Sequence, residues 1–346
     1  MASKRFTNES PRSEQSSTVS VVVTVFNEIG SLDRLIASLA DQSRRPDEIV
    51  IADGGSTDGT WERLEGLAGS ADPQLTAISL PGANIAAGRN AAIAAARGPI
   101  IACTDAGVRL VDTWLTEITA PLERGAKVVA GFFAPDPRTA FETALGATTL
   151  PERRDIDPAT FLPSSRSIAF LKDVWAAAGG YPEWLDYCED LVFDIRARAV
   201  AGPAAFAPRA VAWFRPRPTL AAFTRQYYLY ARGDGKADLW AGRHAMRYVT
   251  YLVAMPALAA VAMRIHPVGW LALLAGLAMM VRTPYRRLLR QWAALSTVEK
   301  LRAALWLPMI RVTGDVGKMA GYPVGVWWRW RRRPPEWRPN GSAGRW

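Results

Sequence analysis

The chain has 346 residues, with 42 Lys and Arg against 32 Asp and Glu, a formal net charge of +10, and 49% hydrophobic residues. That length holds one domain of about 240 residues plus a smaller module; two cysteines argue against a disulfide framework, and two histidines are too few for a histidine-built metal site. Much of the basic excess lies past residue 200, which points to a membrane surface more than to an acidic substrate.

Residues 1–18 are polar, lack a signal-peptide core and are expected to be disordered. Residues 19–26, a β-branched run, have the pattern of a strand buried on both faces of a parallel sheet. The run stops at Asn27-Glu28, and Ser31 is placed to cap a helix whose apolar positions Leu32, Leu35, Ile36 and Leu39 fall at helical spacing. Residues 47–52 give a second strand, ended by Asp53-Gly54-Gly55. Ligands of open α/β sheets bind outside the carboxyl ends of the strands, so Glu28 and Asp53 are expected in one crevice. There they can accept hydrogen bonds from base NH groups and sugar hydroxyls, with the glycines letting backbone come close; an ordinary turn is the alternative for Asp-Gly-Gly. Residues 85–97 read as an alanine-rich helix and 99–104 as the next buried strand, ending at Asp105-Ala106-Gly107. A polar turn, Ser164-Ser165-Arg166-Ser167, feeds the apolar residues 168–171, which sets Ser165 and Arg166 at the crevice. Arg166 is suited to bidentate binding of phosphate or an acidic acceptor, or to a structural salt bridge. A tight turn at Gly179-Gly180-Tyr181-Pro182 is expected to let Trp184 and Tyr187 line an acceptor cleft. It leads to Glu189-Asp190 at a helix start, where a favourable helix-dipole interaction is the plain explanation for two acids.

The segments SVVVTVFNE, DEIVIADGGSTDGT, NIAAGRNAAIAAARGPIIACTDAG and GGYPEWLDYCEDLVFD occur in this order over the first two thirds of the chain. Together they resemble the family 2 glycosyltransferases, inverting enzymes of GT-A fold that use a nucleotide-activated sugar. The resemblance implies an α/β domain over residues 19–240, a Rossmann-like, mostly parallel mixed sheet with flanking helices. It also implies Asp190 as the general base, Glu189 orienting the acceptor, and Arg89 and Asp105 at the nucleotide. A divalent cation, Mg2+ or Mn2+, is implied at Asp105, but Gly107 stands where the family usually has a second acid, which counts against a metal requirement. Members bound to membranes often carry a basic, aromatic segment that closes over the donor diphosphate. Arg225-Gln226 resembles it loosely, and Arg232 beside a flexible Gly-Asp-Gly is placed to stabilise departing charge. An interfacial helix with snorkelling arginines is the other reading of this segment.

Residues 248–263 and 268–281 are apolar runs, each shorter than the roughly 20 residues that cross a bilayer, though their flanks extend them. Arg243, Arg247, Arg282, Arg286, Arg287 and Arg290 flank the pair away from its 264–267 tip, a positive-inside arrangement that puts the catalytic domain on the cytosolic side of the cell membrane. Residues 241–326 are thus expected to form a membrane hairpin with interfacial helices, and 327–346 a basic, tryptophan-rich tail lying on anionic headgroups rather than on nucleic acid. The whole reads as a glycosyltransferase moving a sugar from a nucleotide sugar to a lipid-linked or glycan acceptor. A nucleotidyltransferase would need a glycine-rich basic loop after the first strand, and a non-catalytic sugar-nucleotide-binding scaffold would bind without turnover.

Overall fold

The computed structural model describes residues 18–69 and 71–339; the expected disordered segment, apart from residue 18, and the tail beyond 339 lie outside them. Eight strands form one sheet: β1 (Val19–Val25), β2 (Glu48–Asp53), β3 (Gln74–Ser79), β4 (Ile100–Asp105), β5 (Val108–Leu110), β6 (Val128–Pro135), β7 (Ile168–Leu171) and β8 (Ala205–Phe214). Their order is β3-β2-β1-β4-β7-β6-β8-β5. The half from β3 to β4 is parallel, and β7 then runs antiparallel to both β4 and β6. Val19, Val21, Val22, Val23 and Val25 of β1 are all buried, because helices cover both faces of this half. Each such valine contributes about 1.5–3 kcal/mol of apolar burial.

Helices α1 (Ile29–Ala40), α2 (Thr60–Leu67), α3 (Ile85–Ala95), α4 (Trp114–Glu123), α5 (Ala140–Thr149), α6 (Lys172–Ala177) and α7 (Glu189–Ala201) complete the α/β unit. Ser31 does not cap α1. The helix starts three residues earlier, because the 58–60 segment already satisfies the amides at its start: Glu28 N donates to Thr60 Oγ1 at 2.9 Å and Ile29 N to Asp58 Oδ2 at 3.2 Å.

The C-terminal third is helical: α8 (Leu220–Ala237), α9 (Ala241–Val249), α10 (Met255–Arg264), α11 (Val268–Arg290) and α12 (Thr297–Arg332). The span Ala241–Arg264, which joins α9 to α10 through a π turn, and α11 are 24 and 23 residues long and apolar enough to cross a membrane. They leave Leu252, Val253, Met263, Leu271, Leu274 and Met279 exposed. Two expectations are corrected here. The Gly233-Asp234-Gly235 segment is not flexible: it lies buried inside α8. And α12 is no helix lying free in an interface, since it packs along α8 and α5. The reason is a seam of glycines. A Cβ on Gly321 would stand 2.0 Å from Tyr228 O and one on Gly325 2.1 Å from Arg232 O, while one on Gly235 would meet Tyr322 O at 2.3 Å. Only glycine permits such backbone approach. The opposite face of α12 keeps Val298, Leu301, Leu305, Met309, Val312 and Val316 exposed.

The tail likewise departs from a pure headgroup anchor. Trp337 is 7% exposed among Leu185, Cys188, Val192 and Leu239, with its Nε1 donating to Ala237 O at 3.1 Å. Trp328 stacks on Trp184, and Arg329 and Arg338 both pair with Asp238. Trp327 and Trp330 remain exposed.

Candidate active site

The carboxyl ends of β2, β1 and β4 form one edge. In register, Asp53 lies beside Val25 and Asp105 beside Thr24, so the two acids flank β1, two strand spacings or about 10 Å apart. The loops after β1 and β2 are tied together: Asn27 N donates to Ser56 Oγ at 2.8 Å and Thr57 N to Asn27 Oδ1 at 2.8 Å. Asn27 adopts a φ of 56°, a left-handed conformation that asparagine tolerates. Asp53 is 1% exposed, and its Oδ2 accepts from Gly55 N and Ser56 N at 3.0 and 2.9 Å, while Ser56 Oγ donates to its Oδ1. Its carboxylate therefore shapes its own turn. Glu28 is half-buried and accepts from Ser31 Oγ.

A second set of groups converges on Asp105. Arg89 projects from α3, which Asn84 caps by accepting from Ala87 N at 2.9 Å. The Arg89 side chain is 3% exposed and bonds Glu189 Oε1 at 3.2 Å and Asp105 Oδ1 at 3.5 Å, with its guanidinium 4.8 Å above the Tyr181 ring. A buried guanidinium needs such partners, because its desolvation otherwise costs several kcal/mol. From the turn before β7, Arg166 Nε reaches Asp105 Oδ2 at 3.5 Å and its Nη1 reaches Ser164 Oγ at 3.2 Å, with its guanidinium 4.9 Å above Phe214. Tyr230 of α8 stands beside Arg166. Asp190 is in the field of Arg89, Arg166 and Asp105, and its Oδ1 accepts from Leu191 N at 2.9 Å. That last bond ties one carboxylate oxygen to the first turn of α7 and leaves the other oxygen free of it.

The electrostatics follow from this crowding. Burial and then the Asp190 charge push the Glu189 carboxyl up to about 7 against the pull of Arg89. Burial also raises Asp190, while Arg89 and Arg166 draw it back. Asp194, one turn along α7, is raised well above the usual carboxylate range by burial and by Asp190, and its Oδ2 has no hydrogen-bond partner.

A third layer holds the 180–190 turn in place. Asn90 Oδ1 accepts from Tyr181 N at 2.8 Å and Trp175 Nε1 at 3.1 Å, and Gly180 has a φ of 66° with Asn90 Oδ1 2.9 Å from where a Cβ would stand. From the other side α8 docks directly on the turn. Arg232 and Lys236 both pair with Asp186, and a Cβ on Gly233 would lie 2.6 Å from Tyr187 O. Asp234 Oδ1 lies 3.5 Å from Cys188 Sγ, while Asp234 Oδ2 meets Nε2 of the buried His244 at 3.0 Å. His244 stacks on Tyr322 of α12. Cys188, with φ 65°, is the residue immediately before Glu189-Asp190.

The structure thus brings together Arg89, Asp105, Arg166, Glu189 and Asp190, and places Glu28 and Asp53 on the same sheet edge. It does not bring Arg225 there: that residue is exposed on α8. Arg232, expected beside a flexible loop, is instead paired with Asp186 inside a helix. Trp184 is covered by Trp328, and Tyr187 leans on Tyr230 at 6.0 Å. Sequence reasoning missed Tyr181, Asp186, Asp194 and Tyr230. Asp194 carries the one readable signal, a third acid a turn beyond Asp190 on the same helix.

Among the described residues no group of three His, Cys, Asp or Glu side chains is placed to hold a metal ion. Asp105 is the acid nearest the expected position, and both of its oxygens face arginine. The side chains present do not form a protein-built cation site.

Residues 20–162 match the family described as Glycosyl transferase family 2. The fold is similar to that of the mannosyltransferase PcManGT from Pyrobaculum calidifontis, solved in complex with GDP-Man and Mn2+, at 18% identity, TM-score 0.57, and 91% coverage of both chains. S. aureus TarS 1–349 is similar at 19% identity over 91% of this chain and 92% of that one, TM-score 0.46. GalNAc-T7 with UDP, GalNAc and Mn2+ is similar at 17% identity over 64% of this chain and 51% of that one, TM-score 0.48. No curated protein matches. The mixed sheet with its flanking helices is the GT-A fold, and the chain is a glycosyltransferase. Its residues 20–162 are a family 2 glycosyltransferase domain.

Proposed function

We propose that the enzyme transfers one sugar from a nucleotide sugar to a hydroxyl or phosphate of a lipid-linked or glycan acceptor, inverting the anomeric centre, at the cytosolic face of the cell membrane. The observation that carries this reading is the convergence of Asp190 and Glu189 with Arg89, Arg166 and Asp105 at the edge that also holds Asp53. Asp190 takes the proton of the acceptor hydroxyl as its oxygen attacks the anomeric carbon; the bond to the diphosphate breaks on the opposite face, and its electron pair leaves with the phosphate oxygen. Glu189, held by Arg89, orients the acceptor side. Glu28 and the turn shaped by Asp53 frame the nucleotide, with Arg89 and Asp105 nearer the ribose and diphosphate, and Arg166 on the diphosphate.

The membrane part of the reading rests on the two exposed apolar helices, on the arginines at their common end, and on the apolar stripe of α12 beside them. It favours an acceptor presented by the bilayer. Residues 19–240 supply the chemistry and 241–326 the attachment. Against a nucleotidyltransferase stands the loop after β1, Phe26-Asn27-Glu28, which offers no glycine-rich cradle for a triphosphate. A panel of nucleotide sugars incubated with the full chain in detergent and membrane lipid extract tests the reading. Release of nucleoside diphosphate, dependent on the extract, is expected. Release of pyrophosphate indicates nucleotidyl transfer, and binding without release indicates a scaffold.

The carboxyl shifts set a pH dependence. A base acts unprotonated, so transfer is lost as pH falls through the raised pKa of Asp190; the acidic limb of kcat is expected above the ordinary aspartate value of 3.8. Stability runs the other way for Glu189. Its raised pKa makes its contribution fullest below 4.5 and lost as pH rises through about 7. Across that window the Tm of wild type relative to Glu189→Gln is expected to fall. A flat Tm difference with an acidic limb near 3.8 refutes both assignments.

A further inference from the structure

We infer that in this enzyme the guanidinium of Arg166, braced on Asp105, carries the charge of the leaving diphosphate, and that donor binding needs no divalent cation. The inference rests on the glycosyltransferase reading and narrows it. Three observations carry it. Gly107 occupies the place of a second acid, and its Cα faces open space, with nothing within 4 Å of a Cβ built there; packing does not forbid an acid at that position, the chain simply lacks one. The oxygens of Asp105 are divided between two cations, Oδ1 to Arg89 at 3.5 Å and Oδ2 to Arg166 at 3.5 Å. A divalent ion would have to displace one or both guanidiniums and would gain a single protein carboxylate, whereas Mg2+ and Mn2+ favour near-octahedral oxygen shells. Finally, the two arginines are not equivalent. The Arg89 side chain is 3% exposed and committed to Glu189, while that of Arg166 is 28% exposed and anchored through Ser164 and Phe214. A fork with that freedom fits a diphosphate in bidentate fashion.

In the transfer step the electron pair of the breaking sugar–phosphate bond settles on the terminal phosphate oxygen, the acceptor oxygen bonds the anomeric carbon, and the acceptor proton goes to Asp190. Arg166 neutralises the new phosphate charge without giving up a proton.

The test is calorimetric titration of GDP and UDP into the full-length enzyme in detergent, once with EDTA and once with Mn2+. The expected result is binding of one nucleotide with affinities equal within about twofold in the two buffers, and a loss of about tenfold or more in Arg166→Ala in both, the cost of one charge-assisted contact. Arg166→Lys should recover part of the loss, which a merely misfolded variant would not. Gly107→Asp, which has room to fold normally, should acquire Mn2+-dependent tightening and a bound-Mn2+ resonance signal that wild type lacks. Nucleotide binding by wild type only in Mn2+, or unchanged affinity in Arg166→Ala, overturns the inference while leaving the glycosyltransferase reading in place. Failure of both nucleotides to bind in either buffer overturns the donor-site assignment beneath it.

Discussion

Asp190→Asn is expected to abolish sugar transfer while leaving nucleotide affinity within about twofold of wild type. The amide keeps the size of the carboxylate and the contact with Leu191 N at the start of α7, so the fold stays intact. What disappears is an acceptor basic enough to take the hydroxyl proton, a contribution of about 10²–10⁴ in kcat for a positioned general base. The nucleotide end is spared because Asp105, not Asp190, lies between Arg89 and Arg166 at ion-pair distance. Glu189→Gln should behave differently, since it also removes the partner that fixes buried Arg89. Rapid-quench measurement of a single turnover, beside calorimetric titration of the nucleoside diphosphate, separates these cases. Undiminished turnover in Asp190→Asn would return Asp190 to the role of a helix-start acid and leave Asp194 or Glu189 to be tried as the base.

The second large effect lies far from the chemistry. Gly321→Leu should lower Tm by about 5 °C or more and reduce kcat with it. A side chain there starts 2.0 Å from Tyr228 O, so α12 and α8 must part. Backbone cannot yield as a flexible side chain does, and overpacking of this kind costs about 1–3 kcal/mol or more. The shift is not local. Arg232, Gly233, Asp234 and Lys236 of α8 hold Asp186 and Cys188 of the turn that delivers Glu189 and Asp190. Val316→Ser, on the exposed face of the same helix, should change Tm by less than about 1 °C in detergent, in line with ordinary surface substitutions. A Gly321→Leu protein with wild-type Tm and kcat would show that the seam does not constrain the site.

The parts of the enzyme that could be read from its sequence are those where one physical demand writes a local pattern. A strand buried on both faces has to be continuously apolar, so β1, β2 and β4 were legible nearly to the residue. The acids at their ends followed, because strand ends in a parallel sheet share an edge. Asp53 does end β2, yet its engagement with Gly55 and Ser56 was not visible, because a turn acid and a ligand acid look alike in sequence. The glycines of α8 were misread for a related reason. Gly233 and Gly235 suggested a supple loop, whereas they serve close contact with residues far away in the chain, Tyr187 and Tyr322. The burial of Trp337 was equally hidden, since its pocket is made by Leu185, Val192 and Leu239. Charge and aromatic content pointed to lipid for the entire tail, and only the exposed Trp327 and Trp330 keep to that pattern.

The wedge of Trp337 and the glycine seam bear on how such an enzyme can be handled and how it can evolve. Residues 297–339 act as a keel built into the catalytic hull, so deleting everything after residue 240 would leave α8 without its counterpart rather than liberate a smaller catalyst. On the proposed membrane reading, a water-soluble version calls for repainting the greasy surface of Ala241–Arg264 and Val268–Arg290 with polar residues while the C-terminal strut stays in place. Recombination that exchanges the anchor for another lineage's is constrained in the same way, since any new anchor must arrive with a helix that can nest its backbone against Tyr228 and Arg232.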